Sequence, residues 1–260
     1  MPEKYICEII EATIPTDNVH ALTFISADLA ERARAGQFLH IKCGDERILR
    51  RPFGICEVSG DTLKIVFEVK GEGTRWLAGR KAGDTLDIIG PLGNGFKIPD
   101  GNIIVVGGGL GSPPMLFAAE SAKSGVTAIL GFRDAGRVIL VSEFEAVCDR
   151  VYLTTDDGSL GIRGQVTRPL EELLAAGCCD AVLTCGQLVM QRAVAELCVR
   201  YGTPCQVSLE ERMGCGIGAC LVCACQTRRN GREYMSRVCR DGPVFDATEV
   251  VWRAECIAVV

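Results

Sequence analysis

At 260 residues, 48% hydrophobic and 23% charged, with a formal net charge of −5, the chain has the composition of an ordinary globular protein. That charge gives no electrostatic case for nucleic acid or an anionic membrane surface, and no segment approaches the ~18 unbroken apolar residues of a membrane span. The opening MPEKYICEIIEAT lacks the basic region and apolar core of a secretory signal, so a cytoplasmic protein is expected.

Residues 4–98 read as all-β. The runs YICEII, HALTFISA, QFLHIKC, TLKIVFEV and DTLDIIG are short, rich in β-formers and separated by Gly, Asp and charged turns. Their spacing predicts a closed antiparallel barrel or a sandwich. The breaker cluster GPLGNGFKIPDGN (90–102) ends this texture. Beyond it, NIIVVGGGLGSPPMLFAAESAKSG reads as buried strand, glycine turn and helix. TAILGFRD, RVYLTTDD and DAVLTCG read as further strands, and VSEFEAVCD, PLEELLAAG and LVMQRAVAELCVRYG as helices. Such alternation predicts a parallel sheet covered on both faces. The expected fold is β plus α/β: a barrel over 1–99, a parallel-sheet nucleotide-binding domain over 100–205, and a small C-terminal domain over 206–260.

That last domain holds the densest chemistry. Of fifteen cysteines, eleven are scattered, at 7, 43, 56, 148, 178, 179, 185, 198, 205, 225 and 256. Most sit in apolar runs and read as buried, reduced thiols; an odd total argues against a disulfide framework. Cys215, Cys220, Cys223 and Cys239 stand apart, spaced C-x4-C-x2-C-x15-C. The first three match plant-type ferredoxin spacing for a [2Fe–2S] cluster, with a distant fourth thiolate. Glycines between them suit a loop that needs positive φ and brings backbone N–H groups close to sulfur. Structural zinc is the alternative, but zinc knuckles pair C-x2-C with another such pair, and here the second half is the lone Cys239. Cys225 is not expected to be a ligand.

Two further regions carry motifs. RRPFGI (50–55) offers Arg51, a planar cation suited to a pyrophosphate. GEGTRWL (71–77) offers Gly71, Gly73 and the Thr74 hydroxyl ahead of a helix start. Phe53 and Phe67 supply apolar surface, either for a cofactor or for the barrel core. VVGGGLGSPPM (105–115), with Gly107, Gly108, Gly109 and Gly111, is a strand-to-helix glycine turn of dinucleotide-binding type, though not a clean G-x-G-x-x-G. Asp156 and Asp157 either line the cofactor pocket or form a solvated acidic turn. His20 and His40, the only histidines, fall in predicted strands and read as structural or surface; no acid–base set is present, so no catalytic residue is expected.

The order of these parts resembles the ferredoxin reductase superfamily, with RRPF and GEGT as its flavin signature and TCGQLVM (184–190) as its C-G-P-x-x-M segment. SLEERMGCGIGACLVCAC and RVCRDGPVFDATEVVW closely resemble one family within it, the electron transfer subunits of dihydroorotate dehydrogenase B. The resemblance spans nearly the whole chain. It implies FAD and a [2Fe–2S] cluster on this chain, NAD+ as acceptor, and a role in pyrimidine biosynthesis. It also implies a partner, an FMN-containing catalytic subunit that oxidises dihydroorotate, in a heterotetramer. Carried over by residue, it gives Cys215, Cys220, Cys223 and Cys239 as cluster ligands. Arg51, Pro52, Phe53, Gly54, Val66, Phe67, Glu68, Gly73 and Thr74 become FAD positions. The Gly107–Gly111 turn, with Cys185 and Gly186 at the nicotinamide end, becomes the NAD+ site. Three residues depart from the pattern: Gly54 where Ser is usual, Glu68 where Arg is common, and Gln187 where Pro is usual. A reductase subunit of another ferredoxin, sulfite or hydrogenase complex is the alternative within the superfamily, and a non-redox zinc-binding protein the alternative outside it.

Overall fold

Period-two burial organises the first third of the chain, as the computed structural model shows; it describes residues 3–252, and Cys256 lies outside the described residues. Nine elements form this part: β1 (Glu3–Thr16), β2 (Val19–Ile25), α1 (Ala27–Arg32), β3 (Phe38–Ile41), β4 (Arg51–Gly54), β5 (Glu57–Ser59), β6 (Thr62–Glu68), α2 (Glu72–Ala78) and β7 (Thr85–Leu92). In β7, Leu86, Ile88, Gly90 and Leu92 turn inward while the residues between them face out, the alternation of a sheet with one wet face. The strands pair antiparallel in the order β4-β3-β7-β1-β2-β6-β5. The sheet curls until Phe53 of β4 meets Phe67 of β6, ring centroids 5.5 Å apart. The expected barrel is thus a half-barrel closed by side chains; among the described residues no ladder joins its two edge strands.

The next part comprises β8 (Ile103–Gly108), α3 (Ser112–Glu120), β9 (Val126–Phe132), α4 (Val141–Val147), β10 (Arg150–Thr155), β11 (Ile162–Arg163), α5 (Thr167–Ala175), β12 (Ala181–Cys185), α6 (Leu188–Tyr201) and β13 (Cys205–Ser208). Its strands run parallel in the order β11-β10-β9-β8-β12-β13. Successive residues of β8 feed opposite cores: Ile103 and Val105 pack with α3 and α4, Ile104 and Val106 with α5 and α6. That is why IIVV is unbroken in the sequence. The chain winds outward from β8 in one direction and returns through β12 in the other, which makes the β8–β12 crevice the topological switch point.

Cys205–Ser208 spans the expected 205/206 boundary as the sixth parallel strand. The sheet then gains a seventh from the C-terminal part, β16 (Val244–Asp246), antiparallel to β13. Before β16 the chain forms a hairpin of β14 (Ala224–Arg229) and β15 (Arg232–Arg237). Its Asn230–Gly231 turn has positive φ at both residues, the Asn-Gly signal of a type I′ turn. The breaker cluster at 90–102 is a docking site as well as a connection. The backbone N–H of Asn94 donates to Gly242 O, and its side-chain amide donates to the carbonyls of Arg240 and Asp241. Among the described residues no helix is long and apolar enough to cross a membrane.

Phe24 is fully buried in the half-barrel core. Phe24→Ala is expected to cost about 3–5 kcal/mol, read as a lower denaturant midpoint at constant m-value.

Candidate cofactor and cluster sites

The two flavin-signature segments meet at Arg51. The α2 start brings Gly73 so close that a Cβ there would lie 3.2 Å from Arg51 Nε. Arg51 Nη1 donates to the carbonyls of Leu49 (2.8 Å) and Arg50 (3.2 Å), and no carboxylate pairs with it among the described residues. Its guanidinium is thus held by backbone carbonyls alone among the described residues. Arg50 is committed instead to Asp87 at 2.7 Å. Thr74 Oγ1 accepts from the N–H groups of Lys70 (2.9 Å) and Gly71 (3.1 Å), so its first task is to cap α2. Phe53, Val66 and Phe67 are buried together, with His20 stacked on Phe67 at 5.8 Å.

Two of the three departures have physical causes here. A Cβ on Gly54 would come within 2.7 Å of Pro114 Cγ, so the double proline at the start of α3 excludes the usual Ser. Glu68 pairs with Arg137 of the α/β part at 3.3 Å and with Lys70 at 3.7 Å, so its carboxylate ties two parts of the chain together. Gln187 stands in extended backbone as the N-cap of α6 without a side-chain bond.

The two glycine-bearing turns of the α/β part lie against each other at the switch point. A Cβ at Gly111 would sit 2.3 Å from Cys185 O, one at Gly108 2.4 Å from Met190 Sδ, and one at Gly107 2.7 Å from Ser112 Cα. Three glycines therefore serve close packing, and only Gly109, at φ +54°, borders open space. Gln191 was not anticipated. Buried in α6, it donates from Nε2 to Gly186 O (2.7 Å) and Ser208 O (2.9 Å), and so fixes the Cys185–Gly186 turn against β13. Asp156 and Asp157 form the solvated turn: Asp157 is exposed and accepts from the Ser159 N–H and hydroxyl, which lowers its pKa.

The four motif cysteines share one web of N–H···S contacts. Ala219 N (3.2 Å) and Cys220 N (3.4 Å) donate to Cys215 Sγ, Cys215 N donates to Cys220 Sγ (3.3 Å), Gly218 N to Cys239 Sγ (3.1 Å) and Cys239 N to Cys223 Sγ (3.4 Å). Burial works to raise the Cys215 pKa, but the N–H groups of Ile217 and Cys220, the Cys220 thiol and the Ala219 N–H outweigh it and bring it down to about 6. Burial and then neighbouring Cys223 push Cys239 up to about 12. Gly216 and Gly218 adopt positive φ, as does Leu221 at +61°, a strained conformation for a branched residue. Arg237 braces the loop, donating from Nη1 to Gly218 O (3.1 Å) while paired with Asp241 at 2.9 Å. Among the described residues no three Cys, His, Asp or Glu side chains gather as a single-ion site would require. The amides aimed at all four sulfurs suit the anionic sulfur environment of an iron–sulfur cluster.

Of the ten remaining described cysteines, six are buried as expected, Cys148, Cys179 and Cys225 are half-buried, and Cys178 is exposed. Of the two readings for His40, structural or surface, the structure shows the buried, structural one. It is buried beneath the cluster loop, and a Cβ on Gly216 would lie 2.5 Å from its Nδ1. Burial first and the Arg50 cation second lower its pKa to about 4, so the ring is neutral near pH 7. A lone histidine in a short, wholly buried strand gave no sign of this.

Comparison with known proteins follows the same geometry. Residues 210–251 match the iron–sulfur cluster binding domain of dihydroorotate dehydrogenase B. The chain is 43% identical to the dihydroorotate dehydrogenase B (NAD(+)) electron transfer subunit of Caldanaerobacter subterraneus subsp. tengcongensis, over 85% of this chain and 89% of that one. It is 34% identical to the corresponding subunit of Desulforamulus reducens, over 97% and 100%. The chain belongs to the family of dihydroorotate dehydrogenase B electron transfer subunits. It is accordingly an electron-transfer oxidoreductase subunit, of a family built on FAD, an iron–sulfur cluster and NAD. Among solved structures, that of an NADH-dependent reduced ferredoxin–NADP oxidoreductase superposes at a TM-score of 0.85 with 30% identity, covering 95% of this chain and 90% of that one. The half-barrel, parallel sheet and cluster unit of this electron transfer subunit are thus a ferredoxin reductase-like fold.

The Gly54–Pro114 contact predicts that Gly54→Ser costs about 1–3 kcal/mol through overpacking. Pro114→Ala in the same chain is expected to recover most of that loss in a double-mutant denaturation cycle.

Proposed function

We propose that this chain carries electrons from an FMN-containing catalytic subunit to NAD+, with Cys215, Cys220, Cys223 and Cys239 as the ligands of a [2Fe–2S] cluster. The web of five N–H···S contacts around these four thiols carries the reading. Donated N–H groups stabilise the anionic sulfurs of a cluster and set how readily it accepts charge. When bound, FAD and the cluster together supply the conversion between one-electron transfer and two-electron hydride delivery.

The chain's own residues divide the remaining work. Arg51 and the α2 start, with Gly73 and Thr74, hold the FAD pyrophosphate; Pro52, Phe53, Gly54, Val66 and Phe67 form the flavin wall, and Glu68 fixes the α/β part beside it through Arg137. Gly107, Gly108, Gly109 and Gly111 shape the NAD+ turn, and Met190 and Gln191 hold Cys185 and Gly186 against it. No residue is required to abstract a substrate proton here, because dihydroorotate oxidation belongs to the partner.

Ile217, Leu221 and Val222 project from the cluster loop, Leu221 at 62% exposure. They flank exposed Cys220, and this face is the docking surface for the catalytic subunit in a cytoplasmic heterotetramer. The match of residues 210–251 to the dihydroorotate dehydrogenase B cluster domain favours this over a reductase of another ferredoxin, sulfite or hydrogenase complex.

The test is dihydroorotate-dependent NAD+ reduction by the chain co-purified with its catalytic partner. Cys220→Ser is expected to abolish turnover and the cluster absorbance while flavin remains; a full rate with intact colour would contradict the assignment. Leu221→Asp is expected to keep the cluster colour yet weaken the complex by about tenfold or more, measured by titration of one subunit into the other.

A further inference from the structure

We infer that His40 is a positioning residue for electron transfer, its imidazole seating the cluster loop on the flavin strand. The inference rests on the function proposed above. His40 lies in β3, where its ladder partner is Pro52 of the flavin signature. Its neighbours Leu39 and Ile41 are fully buried and apolar, and His40 itself is 1% exposed. On its far side lies the cluster loop. A Cβ on Gly216 would come 2.5 Å from Nδ1 and 3.0 Å from Cε1, so the Gly216 backbone rests directly on the ring. Only glycine permits this approach, and Gly216 also takes φ +70°. The carbonyls of Arg50 and Cys215, one preceding the flavin signature and one at a proposed cluster ligand, both bear on the ring.

Those two carbonyls lie close enough to favour a ring N–H, yet neither ring nitrogen reaches full hydrogen-bond geometry among the described residues. A strand core would accept an aliphatic side chain at this position without leaving polar atoms unpartnered. An imidazole kept there, touching the flavin strand on one side and the cluster loop on the other, is placed to define the spacing between them. Single-electron transfer falls steeply with donor–acceptor separation, so the residue that sets the spacing sets the rate. His40 neither binds iron nor touches the glycine turns of the proposed NAD+ site, and its effect is confined to the step between flavin and cluster.

The experiment uses the full complex, loaded with FAD and cluster, carrying His40→Leu or His40→Gln. NADH is mixed in, flavin reduction is followed optically, and cluster reduction is followed by freeze-quench electron paramagnetic resonance. Flavin reduction is expected at the wild-type rate. Cluster reduction is expected to slow by about tenfold to a hundredfold in His40→Leu, with an altered resonance line shape. In His40→Gln, which retains a polar N–H, cluster reduction is expected between the two. Wild-type cluster reduction with an unchanged line shape in both variants would overturn the inference. Should His40→Leu fail to fold, His40→Gln decides alone: slower cluster reduction with normal flavin reduction upholds it, and wild-type behaviour overturns it. A wild-type complex without any cluster resonance would overturn the electron-transfer reading itself, and the inference with it.

Discussion

Backbone N–H donation to thiol sulfur is the interaction on which the C-terminal third of this protein depends. To aim the amides of Gly218, Ala219 and Cys220 at sulfurs inside one short loop, the backbone must turn repeatedly through positive φ. Gly216 and Gly218 do so at little cost. Leu221 does so against its side chain, a strain of order 1–3 kcal/mol that the surrounding contacts must offset. The bracing by Arg237 and Asp241 and the buried Cys223 and Cys239 supply that surrounding. The loop is consequently braced at its root and apolar at its tip, as the proposed relay and partner contact would require.

Rigid spacing is the theme of the rest of the molecule. The half-barrel, the parallel sheet and the cluster unit meet where one backbone is pressed onto another part of the chain. Gly54 lies under Pro114, Gly93 against Pro243, and Gly216 on His40. β16 continues the nucleotide-binding sheet from the cluster unit, so the cluster part is built into the same sheet as the glycine turns. Electron transfer across several sites demands fixed separations, and these contacts leave little room for the units to move apart. The glycines of the Gly107–Gly111 turn are therefore also glycines of assembly: Gly107, Gly108 and Gly111 meet Ser112, Met190 and Cys185, and within that turn Gly109 alone borders open space.

Much of this was legible in the sequence because it rests on local period and spacing. The β texture of the first part, the strand–helix alternation after residue 102 and the C-x4-C-x2-C run each depend on near neighbours. What was hidden depends on long-range approach. β13 and β16 were too short for their pattern to stand out, and Asn230–Gly231 marked a hairpin that went unread. Gln191 and His40 sit in ordinary helical and strand patterns, and only the fold brings them to the Cys185–Gly186 turn and the cluster loop. The Gly54 and Glu68 departures were visible as oddities, but their partners Pro114 and Arg137 lie 60 and 69 positions away in the chain.

The central claim is that four thiolates grip two irons between the partner-facing tip and the flavin strand. Anomalous X-ray diffraction from crystals of the complex, collected on either side of the iron and zinc absorption edges, tests it most directly. The account predicts a paired iron peak enclosed by Cys215, Cys220, Cys223 and Cys239, above Gly216 and His40. A zinc peak at that place, or iron bound elsewhere with these sulfurs unliganded, would contradict it.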